Sequence, residues 1–174
     1  MDGTVGTWKG VGMRIMMAMA VGLLAAAGPG AGAVAAQSVT LAAGASSYDL
    51  AGTGTSWVAS ARVDGALAPT LRWQAGVGLF RYGSQADRKV TLIMPEAGVE
   101  WHPPLPMVPL YLGAGVGYAA QSAGQEDDPT LYAALGLDAR VAPMISLRPE
   151  LRVRAVDPWV GTLADFSLGV RFGR

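Results

Sequence analysis

The stretch LRPELRVRAVD, residues 147–157, alternates charged and apolar side chains with a period of two. A period of two is typical of a β-strand, in which successive side chains point to opposite faces of a sheet. One face carries Arg148, Glu150, Arg152 and Arg154, and the other carries Leu147, Leu151, Val153 and Ala155. The pattern predicts a strand that separates a charged compartment from an apolar one, and the rest of the chain has to indicate which compartment lies inside.

A short apolar run near the start of the chain predicts the cellular compartment. Lys9 and Arg14 precede an apolar segment, residues 15–27, and small residues follow it. This order is typical of a secretory signal peptide, although the long leading segment leaves Met1 and Met13 as alternative translation starts. A membrane anchor is the alternative, but the run is shorter than the ~20 residues that a spanning helix needs.

We therefore divide the chain into a signal peptide, residues 1–36, and a mature domain, residues 37–174. Small residues before the mature domain predict cleavage after Ala35 or Ala36. No second apolar run of spanning length follows, so no transmembrane helix is expected in the mature domain.

The composition limits what the mature domain can contact. The chain of 174 residues has a formal net charge of zero, which gives no reason to expect a nucleic-acid partner. It has no cysteine, so no disulfide braces the fold. Lys89 is the only lysine after residue 36, beside ten arginines, whereas soluble domains usually scatter lysine over their surface. Few ordinary water-facing surfaces are therefore expected.

Glycine, proline and acidic clusters divide the mature domain into eight stretches with strand character. Most are close to the ~9–11 residues with which a tilted strand crosses a bilayer, and an even number suits an antiparallel barrel. We expect an all-β, eight-stranded, antiparallel up-and-down transmembrane β-barrel. The predicted strands are residues 38–48, 56–65, 69–82, 89–101, 109–120, 129–141, 144–156 and 162–172.

The alternation alone leaves two arrangements open, because a soluble lipocalin-like barrel turns its apolar face inward and a membrane barrel turns it outward. The polar face here is rich in glycine, serine and threonine, which fit the narrow inside of an eight-stranded barrel. Its arginines nearly balance its carboxylates, and arginine forms two-pronged pairs with carboxylates. We therefore expect a lumen ion-pair network of Arg62, Asp64, Arg72, Glu96, Glu100, Asp138, Arg140, Arg148, Glu150, Arg152, Arg154, Asp165 and Arg171.

If a bilayer surrounds the barrel, the cost of placing charge in lipid decides between an inward and an outward apolar face. An arginine on the lipid face at the midplane costs about 2–4 kcal/mol, so turning the strand at residues 144–156 inside out costs on the order of 10 kcal/mol. That rivals the total stability of a typical protein, about 5–15 kcal/mol. Aromatic residues of the apolar face collect near the strand ends, as in two interfacial girdles. These are Trp73, Trp101 and Phe172 towards one rim, and Trp57 and Tyr118 towards the other.

Two prolines lie within predicted strands, although a closed barrel has no free edge on which a missing N–H is harmless. Val90, Leu92 and Met94 precede Pro95 on the parity opposite to that of the apolar residues after it. We hypothesise a β-bulge near Pro95 that turns both groups outward. The sequence leaves open whether Pro149 marks a second bulge.

The last predicted strand contains ADFSLGVRF, residues 164–172, and its alternation ends on Phe172. It resembles the C-terminal assembly signal of bacterial outer-membrane β-barrels, and the mature domain resembles their small OmpA-like and OmpX-like group with eight strands. The resemblance implies insertion into a Gram-negative outer membrane with both termini periplasmic. It also implies contact with outer-membrane lipid and lipopolysaccharide, and with the barrel-assembly machinery during biogenesis. We expect a monomer.

No catalytic or metal site is expected. The single histidine, His102, is predicted to be a solvated turn residue, whereas Ser46 and Ser47 lie near the opposite rim, so no serine, histidine and acid converge. One histidine without cysteine leaves no metal-ligand cluster, and no cofactor is expected.

We expect a non-enzymatic barrel that contributes to envelope integrity or to surface interactions, with a lumen closed by its ion pairs. Three alternatives stay open. They are a gated polar pore, an outer-membrane enzyme that modifies lipid A or phospholipid, and a soluble periplasmic barrel with an apolar ligand pocket.

Overall fold

A computed structural model describes residues 38–49, 54–83, 89–121, 128–157 and 161–173. The predicted signal peptide and its cleavage site lie outside these residues. A search of the described part of the chain finds no helix with the length and hydropathy needed to cross a membrane.

The described residues form nine antiparallel strands and no helix. The strands are β1 (Ser38–Tyr48), β2 (Gly54–Ala68), β3 (Leu71–Gly83), β4 (Lys89–Trp101), β5 (Leu110–Gln121), β6 (Asp128–Leu137), β7 (Ala139–Ala142), β8 (Ile145–Val156) and β9 (Gly161–Gly173). Strands that follow one another in sequence pair with each other, except that β6 pairs with β8, and a β1–β9 ladder closes the sheet into a barrel. The predicted all-β, eight-stranded antiparallel barrel is therefore confirmed.

The predicted sixth strand, residues 129–141, is divided at Asp138. Its two parts, β6 and the short β7, both pair with β8, and the register of β6 continues into β7 as far as Arg140, so β7 prolongs β6 and the wall of the barrel keeps eight strands. The backbone N–H of Asp138 donates instead to the carbonyl oxygen of Pro109, at 2.7 Å. This hydrogen bond occupies the N–H of Asp138 at the point where the ladder with β8 is interrupted.

Both strand prolines are accommodated without a bulge. The β3–β4 ladder runs without a shift through Pro95, and the β8–β9 ladder runs without a shift through Pro149. On the other side of each proline, the β4–β5 ladder skips Met94 and Pro95, and the β6–β8 ladder stops at Glu150. Because proline has no N–H, one ladder loses pairs while the other keeps the register.

The hypothesised bulge near Pro95 is wrong. Val90, Leu92 and Met94 face the inside of the barrel, on the same parity as Glu96, and Leu92 and Met94 are 0% exposed. The hypothesis assumed a lumen that is polar along its whole height. At one end of this barrel the lumen is apolar, so Leu92 and Met94 point inward and pack against other apolar side chains.

An apolar cluster fills that end of the lumen. Its members come from seven strands, at the rim opposite the short connections formed by residues 69–70, 102–109 and 143–144. Burying each of its large side chains contributes about 1.5–3 kcal/mol. The cluster consists of Tyr48, Val58, Phe80, Tyr82, Val90, Leu92, Met94, Ala119, Val156 and Leu163.

The outer wall is apolar, which answers the question posed by residues 147–157. In β8 the four charged side chains are at most 2% exposed, whereas the leucines and Val153 on the other parity are 37–46% exposed. The same alternation in β9 exposes Phe166 and Leu168 and buries Asp165. Charge therefore lies inside and hydrocarbon outside.

At the rim of the apolar cluster, Asp49 joins β1 to β9. Its N–H donates to the carbonyl of Thr162 at 3.2 Å, and its carboxylate accepts a hydrogen bond from the N–H of Thr162. That backbone hydrogen bond lowers the pKa of Asp49 below its usual value. The contact therefore stabilises the rim above the unfolded-state pKa and is lost as the pH falls through the folded-state pKa.

Two neighbouring residues of β4 test the inward assignment. We expect Leu92→Ala to lower the free energy of unfolding by about 2–5 kcal/mol, because it leaves a cavity in a packed cluster. Ile93→Ala should cost less, since Ile93 is 44% exposed on the outer wall and surrounding detergent chains fill the space. Urea unfolding in detergent micelles measures both variants. A larger loss for Ile93→Ala would mean that β4 is turned the other way.

Candidate functional site

The inside of the barrel between the apolar cluster and the short connections holds three groups of ion pairs. The first is a continuous chain in which arginine and carboxylate alternate. Arg152 lies at its centre, with Nη1 2.6 Å from Glu96 and Nε 3.0 Å from Glu150. The complete sequence of partners is Asp165, Arg154, Glu96, Arg152, Glu150 and Arg62.

The second group is a single pair, Arg148 and Glu100, with Nη2 and Oε1 2.8 Å apart. The third lies at the short-connection mouth. There Asp64 accepts from Arg72 at 2.6 Å and from Arg171 at 2.8 Å, and Arg171 also pairs with Asp138. The hydroxyl of Ser38 donates to Asp64 and accepts hydrogen bonds from both arginines.

Each group is neutral by itself. The first has three arginines and three carboxylates, the second has one of each, and the third has two of each. Moving an unpaired charge out of water costs several kcal/mol, so charge has to be balanced among near neighbours. Balance within each group means that no charge in this part of the lumen depends on a distant partner.

The structure brings twelve of the thirteen predicted network residues into these groups, and Arg140 is the exception. Arg140 is exposed, and no ion pair among the described residues includes it. Arg140 lies beyond the break at Asp138, in the short β7 at the end of the wall, and a register shift follows it. Arg140 is therefore outside the ion-pair groups that the described residues form.

Two tyrosines that the sequence reasoning did not select complete the network. The hydroxyl of Tyr111 donates to Glu150 at 2.7 Å, and the guanidinium of Arg148 lies 4.1 Å from the centre of its ring. The guanidinium of Arg152 lies over the ring of Tyr132 in the same way, 4.3 Å from its centre. Such cation–π contacts contribute about 0.5–2 kcal/mol, more when the cation is removed from water. Tyr111 thus links the first ion-pair group to the second.

Glycines opposite the tyrosines make this arrangement possible. Tyr132 lies across the ladder from Gly115, and a Cβ on Gly115 would stand 2.3 Å from the carbonyl oxygen of Ala97 and 2.6 Å from the tyrosine ring. Tyr111 is paired with Gly136 in the same way. Each ring lies against bare backbone, which leaves room for an arginine on its other face. The signal in the sequence was a tyrosine on the polar parity facing a glycine on the neighbouring strand.

His102 also differs from the expectation. It is only 25% exposed, its Nε2 lies 3.3 Å from Glu100, and its ring stacks on Tyr111 with centroids 5.6 Å apart. It was predicted to be a solvated turn residue. Its backbone N–H, however, donates a hydrogen bond to the carbonyl oxygen of Thr70 at 2.8 Å, and this bond positions the ring at the lumen mouth. Among the described residues no group of histidines and carboxylates is arranged to hold a metal ion.

A cavity of about 420 Å³ opens at the same mouth. Its wall combines charged side chains of the third group with apolar residues from the end of β2 and from the β2–β3 connection. The lining residues are Ala66, Leu67, Ala68, Pro69, Arg72, His102, Asp138 and Arg171.

The aromatic residues selected from the sequence lie near the two rims of the outer wall. Trp57, Trp101 and Phe172 are 46–49% exposed, and Trp73 and Tyr118 are half-buried. Trp101 stands opposite Leu71 at the short-connection rim, and Trp57 stands opposite Arg81 near the other.

The geometry of this barrel occurs in proteins of known structure. No protein-family model and no curated protein matches the chain. Solved structures do match it. Neisserial surface protein A superposes with a TM-score of 0.66 at 17% identity, over 79% of this chain and 96% of that one. The fold is that of the small eight-stranded outer-membrane β-barrels.

Two further small outer-membrane barrels agree. Ail, the attachment invasion locus protein of Yersinia pestis, has a TM-score of 0.53 at 15% identity, covering 79% of this chain and 99% of its own. The N-terminal β-barrel domain of Pseudomonas aeruginosa OprF has a TM-score of 0.53 at 16% identity, covering 79% and 98%. The resemblance to this structural group that the sequence indicated is confirmed at the level of fold.

Arg152 provides a test of the first ion-pair group. We expect Arg152→Ala to lower the free energy of unfolding by about 3–5 kcal/mol, because Glu96 and Glu150 keep their charge and lose their shared partner. Arg81→Ala is the control, since Arg81 is exposed near a rim and its removal should cost under about 0.5 kcal/mol. Equal urea midpoints in detergent for the two variants would contradict the internal position of Arg152.

Two inward glycines of β5 test the tyrosine arrangement. Gly115→Ala should destabilise the barrel by about 1–3 kcal/mol, because the new methyl group overlaps the backbone of β4 and the ring of Tyr132. Gly113→Ala should cost less, since its Cβ would meet no atom closer than 3.3 Å. Thermal unfolding monitored by circular dichroism measures both, and an equal loss would mean that Gly115 has no special role.

Proposed function

We propose that the protein is an integral outer-membrane β-barrel whose outer wall contacts lipid. The observation that carries the proposal is the reversal of polarity: six arginines and six carboxylates lie inside, and leucine, valine and phenylalanine lie outside. In water, an apolar surface continuous around a barrel would far exceed the few hundred Å² that soluble monomers expose. In a bilayer it is the favourable face.

The soluble ligand-binding alternative lacks support from the same observation. A lipocalin-like barrel needs an apolar lumen that is open at one end. Here the apolar part of the lumen is packed with buried side chains, and the remainder is charged.

We further propose a non-conducting lumen and a structural role in the envelope. Two different fillings support a closed lumen: the ion-pair groups on the short-connection side and the apolar cluster on the other. Phe80 of the apolar cluster lies 4.8 Å from the guanidinium of Arg154, so the two fillings are in contact. An ion would have to displace paired arginines and then cross a packed hydrocarbon layer, which disfavours the gated-pore alternative.

A non-enzymatic role fits the polar groups at the lumen mouth. A catalytic serine needs a base that takes its proton. The hydroxyl of Ser38 instead donates to Asp64 at 2.8 Å, and His102 contacts Glu100. An enzyme that modifies lipid A or phospholipid stays the alternative, and mass spectra of lipid A from expressing and empty cells distinguish it.

The partners in this proposal follow from the location. A monomeric barrel would contact outer-membrane lipid and lipopolysaccharide, and would require the barrel-assembly machinery to insert. A surface-interaction role is the second candidate, favoured by the names of two proteins with this fold, a Neisserial surface protein and an attachment invasion locus protein.

Insertion is tested by two arginine substitutions in β8. Leu151→Arg should reduce stability in lipid vesicles by about 2–4 kcal/mol, because Leu151 lies midway along the outward face. Ile145→Arg, on the same face at the end of the strand, should cost about 0–1 kcal/mol. Recovery of the wild-type chain from the outer membrane, with heat-modifiable gel mobility, is the accompanying expectation. A soluble periplasmic chain would refute the proposal.

A further inference from the structure

The three short connections of the barrel form a rim with an unusual surface. Their exposed side chains are apolar, with Met107 91% exposed and Leu105, Val108 and Met144 between 48% and 55%. Residues 103–109 contain no charged side chain, and neither do residues 65–70 or 141–147. A rim that faced water throughout would expose these side chains at a cost of about 25 cal/mol for each Å².

The position of this rim relative to the outer wall matters. Ten residues of β3 separate Leu71, opposite Trp101, from Arg81, opposite Trp57. At about 3.4 Å per residue and a tilt of about 40°, the exposed tryptophans are about 25 Å apart along the barrel axis. That equals the height of the apolar band of a typical outer-membrane barrel. The short connections therefore begin where the hydrocarbon layer ends.

The layer just beyond the hydrocarbon is not bulk water. Headgroups and interfacial water extend about 5–8 Å on each side of the bilayer core, and amphipathic segments bury their apolar side chains at that depth. Connections of two residues, such as residues 69–70, are too short to pass through this layer. Their apolar side chains thus lie where lipid can cover them.

Arg140 adds a positive charge to this rim, opposite in sign to the headgroup phosphates. It is exposed on β7 at the same rim, beside Val141, which is 58% exposed, and no ion pair among the described residues includes it. A long arginine side chain keeps its stem against apolar surface while its guanidinium reaches polar groups. Headgroup phosphates are anionic and form two-pronged hydrogen bonds with arginine.

We propose that the short-connection rim is a lipid-interface anchor. In this anchor, Met107 and its apolar neighbours lie among the headgroups of the adjacent leaflet, and Arg140 binds a headgroup phosphate. The anchor rests on the proposed membrane insertion and adds the depth of the barrel and the chemistry of its contact. It also assigns a role to the arginine that does not enter the ion-pair groups.

Because the chain has no cysteine, single labels can measure this depth. Met107→Cys and Val141→Cys, each labelled with an environment-sensitive fluorophore, are refolded into vesicles of phosphatidylethanolamine and phosphatidylglycerol. We expect blue-shifted emission relative to the urea-unfolded chain, protection from iodide, and quenching by lipids that carry a quencher at the headgroup. Leu151→Cys is the control at the outer wall, and should be quenched by lipids brominated along the acyl chain.

Each outcome has one meaning. Labels at both rim positions that are as open to iodide as in the unfolded chain would overturn the anchor. Protection from iodide without lipid quenching would also overturn it, in favour of contact with another protein copy. If the Leu151 label is not quenched by lipid, the membrane insertion itself fails.

Arg140→Gln tests the phosphate contact, with Arg81→Gln as the matched control. The anchor predicts that raising the phosphatidylglycerol content stabilises the wild-type chain and the Arg81 variant more than the Arg140 variant, as measured by urea midpoints. An equal response of all three chains would remove Arg140 from the anchor.

Discussion

Charge inside this barrel is neutralised among immediate neighbours, and the other features of the lumen follow from that requirement. Eight strands leave an interior that side chains just fill, so an unpaired guanidinium would have little water around it. Neutral groups of two, four and six residues meet the requirement locally. The glycines serve it indirectly, because Tyr111 and Tyr132 need the space above Gly136 and Gly115 to lie flat beneath the arginines.

Two kinds of packing fill the lumen, and they weaken under different conditions. Ion pairs weaken when a carboxylate is protonated, whereas an apolar cluster depends on the hydrophobic effect and on shape. The contact between Phe80 and Arg154 joins the two, since an aromatic face is both apolar and attractive to a cation. Protonation of the carboxylates would therefore weaken the ion-pair groups and leave the apolar cluster packed.

The alternation of side chains predicted most of the fold because a barrel strand has only two faces, and residues 147–157 distinguish them sharply. The prediction failed at positions where the alternation does not determine the surroundings of a side chain. The residues before Pro95 are apolar and inward, which the alternation could not distinguish from apolar and outward, since it reports parity and not the chemistry of each end of the lumen. Arg140 follows a break in the ladder, and His102, which contacts Glu100, is positioned by a backbone hydrogen bond to the β2–β3 connection. Those three outcomes depend on pairing between strands, which a single sequence does not display.

The strand pairing also has a consequence for how the barrel forms. All ladders but one join strands that are adjacent in the chain or separated by the short β7, whereas β1 and β9 come from opposite ends of the barrel domain. Every residue from Ser38 to Tyr48 is paired on both sides, so the ladder that closes the circle has no interruption. The skipped pairs at Pro95 and Pro149 lie in ladders whose partners are close in sequence and meet at a small cost in chain entropy. The ladder with the largest separation in sequence is thus uninterrupted, and its full set of backbone hydrogen bonds offsets part of the chain entropy that closing the circle costs.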